Sequence, residues 1–346
     1  VGLDIGSDSI KVVQLKPLGK GGVYQLVGFG MEPLPPEAIV DGSILDSGTV
    51  AEAIQRVFSE NKIRLSDVAI SLSGHSVIIK KINLPAMSPE ELAESIQWEA
   101  EQYIPFDIAD VNMDYQVLQS LSREGQDVMD VLLVAVKKDK INDYLSVVTE
   151  AGKTTTVVDV DVFALLNAYE ANYTLEREKA VALVNIGSAV TNIGIVEDGQ
   201  AVFWRDVTVG GALYSEAIQR ELGLSYDQAE SLKRGVQVEG VSLHSAVPVL
   251  QSVSEEIGAE VEKTLNFFKT TSSCERIDKI YLSGGAARTI NLDQYLGERF
   301  NTEVDFLNPF REIKFTPKQF DGDYLEEIAP SAAVAMGLAL RKAGDK

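Results

Sequence analysis

At 346 residues the chain is longer than one ordinary core supports, so two or more domains are expected, and 45% hydrophobic with 24% charged residues excludes a disordered chain. Lys and Arg number 31 against 52 Asp and Glu, and the resulting net charge of −21 repels polyphosphate backbones and anionic lipid surfaces, so nucleic acid is not an expected partner. The runs Lys80-Lys81 and Lys137-Lys138-Asp139-Lys140 are too short to change that balance.

Cys274 is the only cysteine, so no disulfide framework forms and the reducing cytosol is the expected compartment. His75 and His244 make no metal cluster with it and read as structural. The longest apolar run, VLLVAV at 131–136, falls far short of the ~18 residues of a membrane span. No signal peptide precedes the first strand, and the chain opens at Val1 inside that strand, so a few native residues are expected upstream.

In chain order, VGLDIGSDSIKVVQLK reads as a strand, a polar turn and a second strand, and VYQLVGFGME supplies a third after the Gly19 to Gly22 punctuation. TVAEAIQRVFSEN follows as a helix with Val50, Ile54, Val57 and Phe58 on one face. From 84 to 152 the character changes. MSPEELAESIQWEAEQYIPF opens with Ser88 as N-cap, Pro89 at the first helical position and Glu91 completing a capping box. Its apolar stripe is Leu92, Ile96, Ala100, Tyr103 and Ile104, and Pro105 stops it. Two strands, VNMDYQVLQ and VMDVLLVAVKK, flank the loop SREGQD, and the helix KINDYLSVVTEAG closes a small α/β module inserted into the first half.

VALVNIGSAVTNIGIV then repeats the opening: Leu3, Asp4, Ile5, Gly6 and Ser7 fall on Val184, Asn185, Ile186, Gly187 and Ser188 at a constant offset of 181 residues. QAVFWRDVTV as third strand and ALYSEAIQREL as helix extend the match, so the chain carries an internal duplication of a βββα unit. Helical SYDQAESLKRG follows, then a long helix from about 247 to 272 with Val249, Val253, Ile257, Val261 and Leu265 at every fourth position. DKIYLSGGAARTINLDQYLGERF reads as strand, glycine turn and helix, and the last helix, SAAVAMGLALRK, has the small residues that close backbone approach requires.

A phosphate chain needs inward backbone N–H groups, side chains small enough to admit it, and a carboxylate to hold water on Mg²⁺. Asp4-Ile5-Gly6-Ser7 meets these needs, with Ser9 in the same turn and Lys11 on the returning strand as a phosphate ligand. One such turn is equally an ordinary hairpin. Two of them, from duplicated halves, clasp one triphosphate across a cleft, and ATP with Mg²⁺ is the expected cofactor.

The second copy has Asn185 where the first has Asp4. An amide accepts a hydrogen bond from metal-bound water but carries no charge, so slow or absent hydrolysis is expected. Gly187, Ser188 and Thr191 still suit phosphate contact. Gly210-Gly211 is a further closing turn, as is Ser283-Gly284-Gly285 ahead of a helix whose N-terminus and Arg288 would face the nucleotide. Glu230 and Lys233 share a helix face, which by spacing alone reads as a solvated ion pair. There is no Walker A pattern and no GxGxxG after the first strand, so P-loop and Rossmann folds fit poorly. No Ser/His/Asp or Cys/His arrangement is readable.

Across essentially the whole chain these motifs resemble the actin-like ATPases, with a first phosphate loop DIGSDSIK, a second NIGSAVT, an adenosine loop LSGGAAR and connecting helices. The resemblance implies an α/β, duplicated RNase H-like fold that binds ATP and Mg²⁺ in its cleft, with Asp4 and Asn185 acting on the metal through water. The inserted module sits where the FtsA and PilM families carry a 1C-type subdomain. That divides the chain into subdomain 1A (1–83, 153–178 and 329–346), 1C (84–152), 2A (179–210 and 276–328) and 2B (211–275).

VVDVDVFALLNAY, LPAMSPEELAESIQWEAEQYIPF and PFREIKF are more similar to the PilM family of type IV pilus proteins than to FtsA. That likeness implies a cytoplasmic, ATP-binding adaptor recruited to the inner membrane. It would hold the cytoplasmic N-terminal tail of a PilN-type protein and connect to other pilus platform or motor proteins. It also moves Glu230 and Lys233 to the adenosine side, and places Asp161, in the first connecting helix, where the superfamily has its water-orienting residue. RKAGDK follows the last helix without the amphipathic tail usual in FtsA, so membrane recruitment is expected through a partner. An FtsA-like division filament and a sugar-kinase-type enzyme remain open on these residues.

Overall fold

The computed structural model describes residues 1–19, 22–123, 126–175, 177–272, 274 and 276–345. β1 (Gly2–Ile5), β2 (Ser9–Pro17) and β3 (Tyr24–Pro33) form an antiparallel meander in which Asp4 lies opposite Lys11. A short hairpin, β4 (Ile39–Val40) and β5 (Ser43–Ile44), leads into α1 (Ser47–Glu60), capped by the Asp46 carboxylate, which accepts from Thr49 N at 3.0 Å. β6 (Asp67–Leu72) then pairs in parallel with β1.

The inserted module is a separate sheet. β7 (Val77–Pro85), α2 (Pro89–Ala100), β8 (Val111–Arg123) and β9 (Gln126–Lys137) give the order β7-β9-β8, with α2 packed on one face through Leu92, Ile96 and Ala100. The Ser88 capping box forms as the sequence predicts. α3 (Lys138–Glu150) and β10 (Thr154–Val160) return the chain to the first sheet, whose order is β10-β6-β1-β2-β3.

α4 (Asp161–Asn172) crosses to the second half: β11 (Ala180–Ile186), β12 (Thr191–Glu197), β13 (Gln200–Val207), α5 (Ala212–Leu222), α6 (Tyr226–Lys233), α7 (Leu243–Thr271), β14 (Lys279–Ser283), α8 (Leu292–Phe300) and β15 (Glu303–Phe306). Its sheet order, β13-β12-β11-β14-β15, repeats the first. The repeat reaches single hydrogen bonds: Gly6 N donates to Ser9 O at 3.2 Å and Gly187 N to Val190 O at 3.0 Å, each atom 181 residues from its counterpart. α9 (Gly322–Ile328) and α10 (Ala333–Leu340) bring the chain back to the first half.

Several boundaries differ from the sequence reading. The inserted sheet starts at Val77 rather than 84, because β7 pairs with β9 along its whole length. α3, expected inside the module, buries Ile141, Tyr144, Val147 and Val148 in the first core with Ile54 and Phe58 of α1. Of the expected loop 122–127, β8 and β9 take all but 124–125, which lie outside the described residues. Tyr103 is 38% exposed, because α2 has ended at Ala100. α7 starts at Leu243 and carries Pro248 inside, which removes one backbone N–H from its ladder.

Three elements meet backbone to backbone at the centre. A Cβ on Gly337 of α10 would lie 1.7 Å from Ala164 O of α4, and one on Gly2 of β1 would lie 2.0 Å from Ala335 O. α4 in turn buries Leu165 and Leu166 against Val181, Leu183 and Val196 of the second sheet, so it is packed on both halves. Among the described residues no helix is long and apolar enough to cross a membrane. Gly337→Ala is expected to destabilise the protein by at least about 1–3 kcal/mol through overpacking. Denaturant unfolding measures this, and an unchanged midpoint would refute the close contact.

Candidate functional site

The two glycine turns, at the ends of β1 and β11, face one cavity of about 120 Å³ between the halves. Asp4, Gly6, Ser7, Ser9 and Lys11 line it from the first half with Asp161 at the start of α4. Asn185, Gly187, Ser188, Gly211, Glu230, Lys233, Gly284 and Gly285 line it from the second.

Three candidates are placed elsewhere. Thr191 is fully buried and its Oγ1 donates to Val209 O at 2.8 Å. Gly210 braces the second turn from outside, where a Cβ would stand 2.3 Å from Ser188 O. Arg288 turns away: its Nη2 donates to Glu326 O at 2.8 Å and its guanidinium lies 4.7 Å over the Phe306 ring. The reason is local. The chain after Gly284-Gly285 runs through turns to Asn291 before α8 begins at Leu292, so no helix N-terminus follows the glycines directly.

The β1–β2 register sets Asp4 against Lys11, whose Nζ lies 3.2 Å from Asp4 Oδ2 and also donates to Ser9 O at 3.4 Å. The equivalent cross-strand pair of the second half is Asn185 and Asn192, the latter standing 181 residues after Lys11. Asn185 Nδ2 donates to Asn192 Oδ1 at 2.8 Å, and Ser283 Oγ donates to Asn185 Oδ1 at 3.2 Å. Asn192 Nδ2 donates onward to Asp206 Oδ1 at 2.8 Å, and Gly74 N, from the first half, donates to Asp206 Oδ2 at 2.8 Å. Burial pushes the Asp206 carboxyl up, while the Asn192 and Gly74 hydrogen bonds oppose it.

Sequence reasoning missed this relay, although the repeat offset from Lys11 pointed to Asn192. It also missed Tyr226, whose OH donates to Asp8 Oδ1 at 2.7 Å and ties α6 to the first turn. No pattern in the sequence joins residues 218 apart. Thr208 Oγ1 and His75 Nε2 share a third bond between the halves, 3.0 Å long.

Glu230 and Lys233 do form the ion pair that spacing suggests, at 2.5 Å, but beside the cavity, with Lys233 buried and Glu230 half-buried, rather than solvated. Ser215 Oγ donates to the same Glu230 carboxylate. Tyr144 of α3 donates to Gly42 O at 3.2 Å and fixes the 41–42 turn on the cavity rim; burial, with Asp161 and Asp4 nearby, raises its phenol.

Asp161 Oδ1 accepts from Ser71 Oγ at 2.5 Å. Burial, then the neighbouring Asp4 charge, pushes its carboxyl up to about 7, against the Ser71 and Ser73 hydrogen bonds. A carboxyl in that range is only partly ionised at neutral pH, which makes it a responsive group rather than a fixed charge.

The family described as type IV pilus assembly protein PilM has a model that matches residues 2–343. A chain of a solved PilM-PilN type IV pilus biogenesis complex superposes with TM-score 0.86 at 29% identity, covering 98% of this chain and 97% of that one. The ethanolamine utilization protein EutJ of Carboxydothermus hydrogenoformans superposes with TM-score 0.57 at 14% identity, over 98% of this chain and 88% of its own, a likeness of fold alone. The cell division protein FtsA of Bacillus subtilis (strain 168) is 23% identical over 256 residues, which is 68% of this chain and 57% of FtsA. The chain thus spans little more than half of that relative's length. The fold is the actin-like, duplicated α/β fold that the phosphate-loop motifs imply.

An acid whose folded-state value lies above its unfolded one costs the folded state stability as it ionises. For Asp161 that cost is absent below 3.8, grows as pH rises toward about 7, and is constant above. Asp161→Asn keeps the acceptor for Ser71 and removes the charge. Its melting temperature is therefore expected to gain on that of the wild type as pH rises from about 4 to about 7. A gap that does not change with pH would refute this environment.

Proposed function

The chain belongs to the PilM family of type IV pilus assembly proteins, and from that premise we propose that it is an adaptor which binds ATP with Mg²⁺ in its cleft and holds the cytoplasmic N-terminal tail of a PilN-type protein. The observation that carries the reading is the superposition of 98% of the chain, inserted module included, on a chain of a PilM-PilN complex. The tail would sit beside the β7-β9-β8 module, keeping the protein on the cytoplasmic face of the inner membrane, where it would meet other platform or motor proteins.

The donor set of the cavity fits a Mg²⁺-nucleotide. Around Gly6 a Cβ would come within 3.1 Å of Ser9 O and 3.4 Å of Lys11 Nζ, so a side chain there would crowd the first turn where a phosphate would approach. Gly284, at φ +92°, needs its missing side chain, and a Cβ on Gly285 would meet nothing within 4 Å. Lys11 supplies the cation for phosphate, while Asp4 and Asp161 face the metal side. Among the described residues no three His, Cys, Asp or Glu form a ready cage, so Mg²⁺ here would complete its shell with phosphate oxygens and water. Bound together, the metal and triphosphate would supply the charge bridge that draws both turns inward. Glu230, Lys233 and the Gly284-Gly285 turn are left for the adenosine side.

The volume of about 120 Å³ lies below the ~300–1,000 Å³ of ordinary ligand sites, so the halves must part for a nucleotide to enter. Asn185 has its amide committed to Ser283 and Asn192, and Asp161 is a weak acid at neutral pH; neither favours fast water attack. The cleft is built to hold a nucleotide rather than to turn it over.

In calorimetry a PilN-type tail peptide is expected to bind, and Lys11→Ala is expected to weaken ATP binding by about 10–100-fold, the worth of a charge-assisted contact, while leaving the tail site intact. A full chain that binds no tail peptide refutes the adaptor role. Turnover is expected to be slow in the wild type and faster when Asn185→Asp is combined with Asn192→Lys, which restores the ionic pair of the first copy. Brisk turnover by the unmodified protein would show that the amide pair is no brake.

A further inference from the structure

Beyond the cleft wall lies a second and larger groove. β7 is an edge strand of the inserted sheet and β13 an edge strand of the second sheet, and both border a groove of about 580 Å³, within the range of working binding sites. An edge strand offers a row of backbone donors and acceptors ready for another strand. Ile78 and Ile79 line the groove from β7, Phe203 and Trp204 from β13, and Phe267 of α7, 51% exposed, from the far end.

The charge of the groove opposes that of the protein. In a chain of net charge −21, Lys80, Lys81 and Arg205 stand along it, Lys80 and Arg205 exposed and Lys81 2.9 Å from Asp130. Asp206 is the one carboxylate among its lining residues, and both its oxygens already accept hydrogen bonds, from Asn192 and Gly74. We propose that this groove docks an extended acidic segment of a partner protein, added as a strand between β7 and β13. Its aliphatic or aromatic side chains, on one face, would rest on Ile79 and Trp204, and its carboxylates, on the other, would meet Lys80 and Arg205.

A second copy of this chain is the competing occupant, since Trp98 on α2 is 72% exposed among Glu94, Glu99 and Glu101. Two copies each at −21 repel, which favours a separate partner with a short local acidic stretch.

The groove also shares a wall with the cavity. Gly74, His75 and Thr208 line both, and the Gly74–Asp206 and His75–Thr208 bonds close that wall across the two halves. β7 is anchored in the first core through Val77, whereas β13 belongs to the second sheet, so parting the halves pulls the two edges of the groove apart. The docking site exists in the closed cleft. Only this coupling rests on the nucleotide reading; the docking does not.

The chain has two tryptophans, so the full chain with Trp98→Phe leaves Trp204 as the reporter of the groove. The probes are a synthetic decapeptide alternating Glu with Val and Phe, and its counterpart with Lys for Glu. The acidic peptide is expected to change Trp204 emission and to bind at least about tenfold more tightly than the lysine peptide. Lys80→Glu with Arg205→Glu is expected to remove that preference while thermal stability and ATP affinity stay unchanged, and Mg²⁺-ATP is expected to tighten peptide binding. No response, equal response to both peptides, or survival of the preference after charge reversal overturns the docking. So does displacement by a PilN-type tail peptide, which would make the groove the tail site, or a dimer in sedimentation that the charge reversal dissolves. Peptide affinity indifferent to Mg²⁺-ATP in a protein that binds ATP overturns the coupling.

Discussion

Gly337 and Gly2 let α10, α4 and β1 meet backbone to backbone, with no side chain between Gly337 and Ala164 or between Gly2 and Ala335. That contact is what the cleft is built on. β1 ends in the first glycine turn and carries Asp4, α4 begins with Asp161, and the turn leading into α10 offers Pro330 O to Gly284 N at 2.8 Å. Asp4, Asp161 and the Gly284-Gly285 turn are thus fixed by one junction, on which α4 and α10 pack with no spacer.

Duplication gave the two halves the same strand order and the same turn hydrogen bond, and then charge separated them. The first copy keeps an ion pair, Asp4 with Lys11; the second replaces both members with amides, Asn185 with Asn192. A single charge at this largely enclosed position would stand without its partner, at a cost of about 3–5 kcal/mol where burial is complete. Losing both leaves two amides that satisfy each other. The freed hydrogen-bonding capacity runs from Ser283 through Asn185 and Asn192 to Asp206 and ends on Gly74 of the opposite half. Where the first half has an ion pair, the second has a hydrogen-bonded strut that reaches across the cleft.

The strut ends where the inserted module begins. Gly74 and His75 lie between β6 of the first sheet and β7 of the inserted one, so the bonds between the halves are made beside the edge of the module. With α3 returning to the first core, the module is held at both its roots by the first half, and the second half bonds to Gly74 and His75 at the first of them.

The sequence by itself determined the local units and their repetition. Apolar alternation, the Ser88 capping box and the match of Asp4-Ile5-Gly6-Ser7 to Asn185-Ile186-Gly187-Ser188 are short-range facts, and each element they predict is present. Glycines at turns were legible too, since their need is set by adjacent backbone. What only the tertiary structure decided is which of these residues share a cavity. Thr191 and Gly210 sit one bond away from the second turn and serve it from behind, and Arg288 is drawn off by Glu326 and Phe306, which no spacing reveals. Tyr226 reaches Asp8, and Asp206 reaches Gly74, because two halves far apart in sequence close on each other. The burial that turns Asp161 into a group titrating near neutrality is a property of that closure. Local pattern fixes the parts; desolvation and contact between distant segments, which exist only once the chain is folded, fix what the parts do.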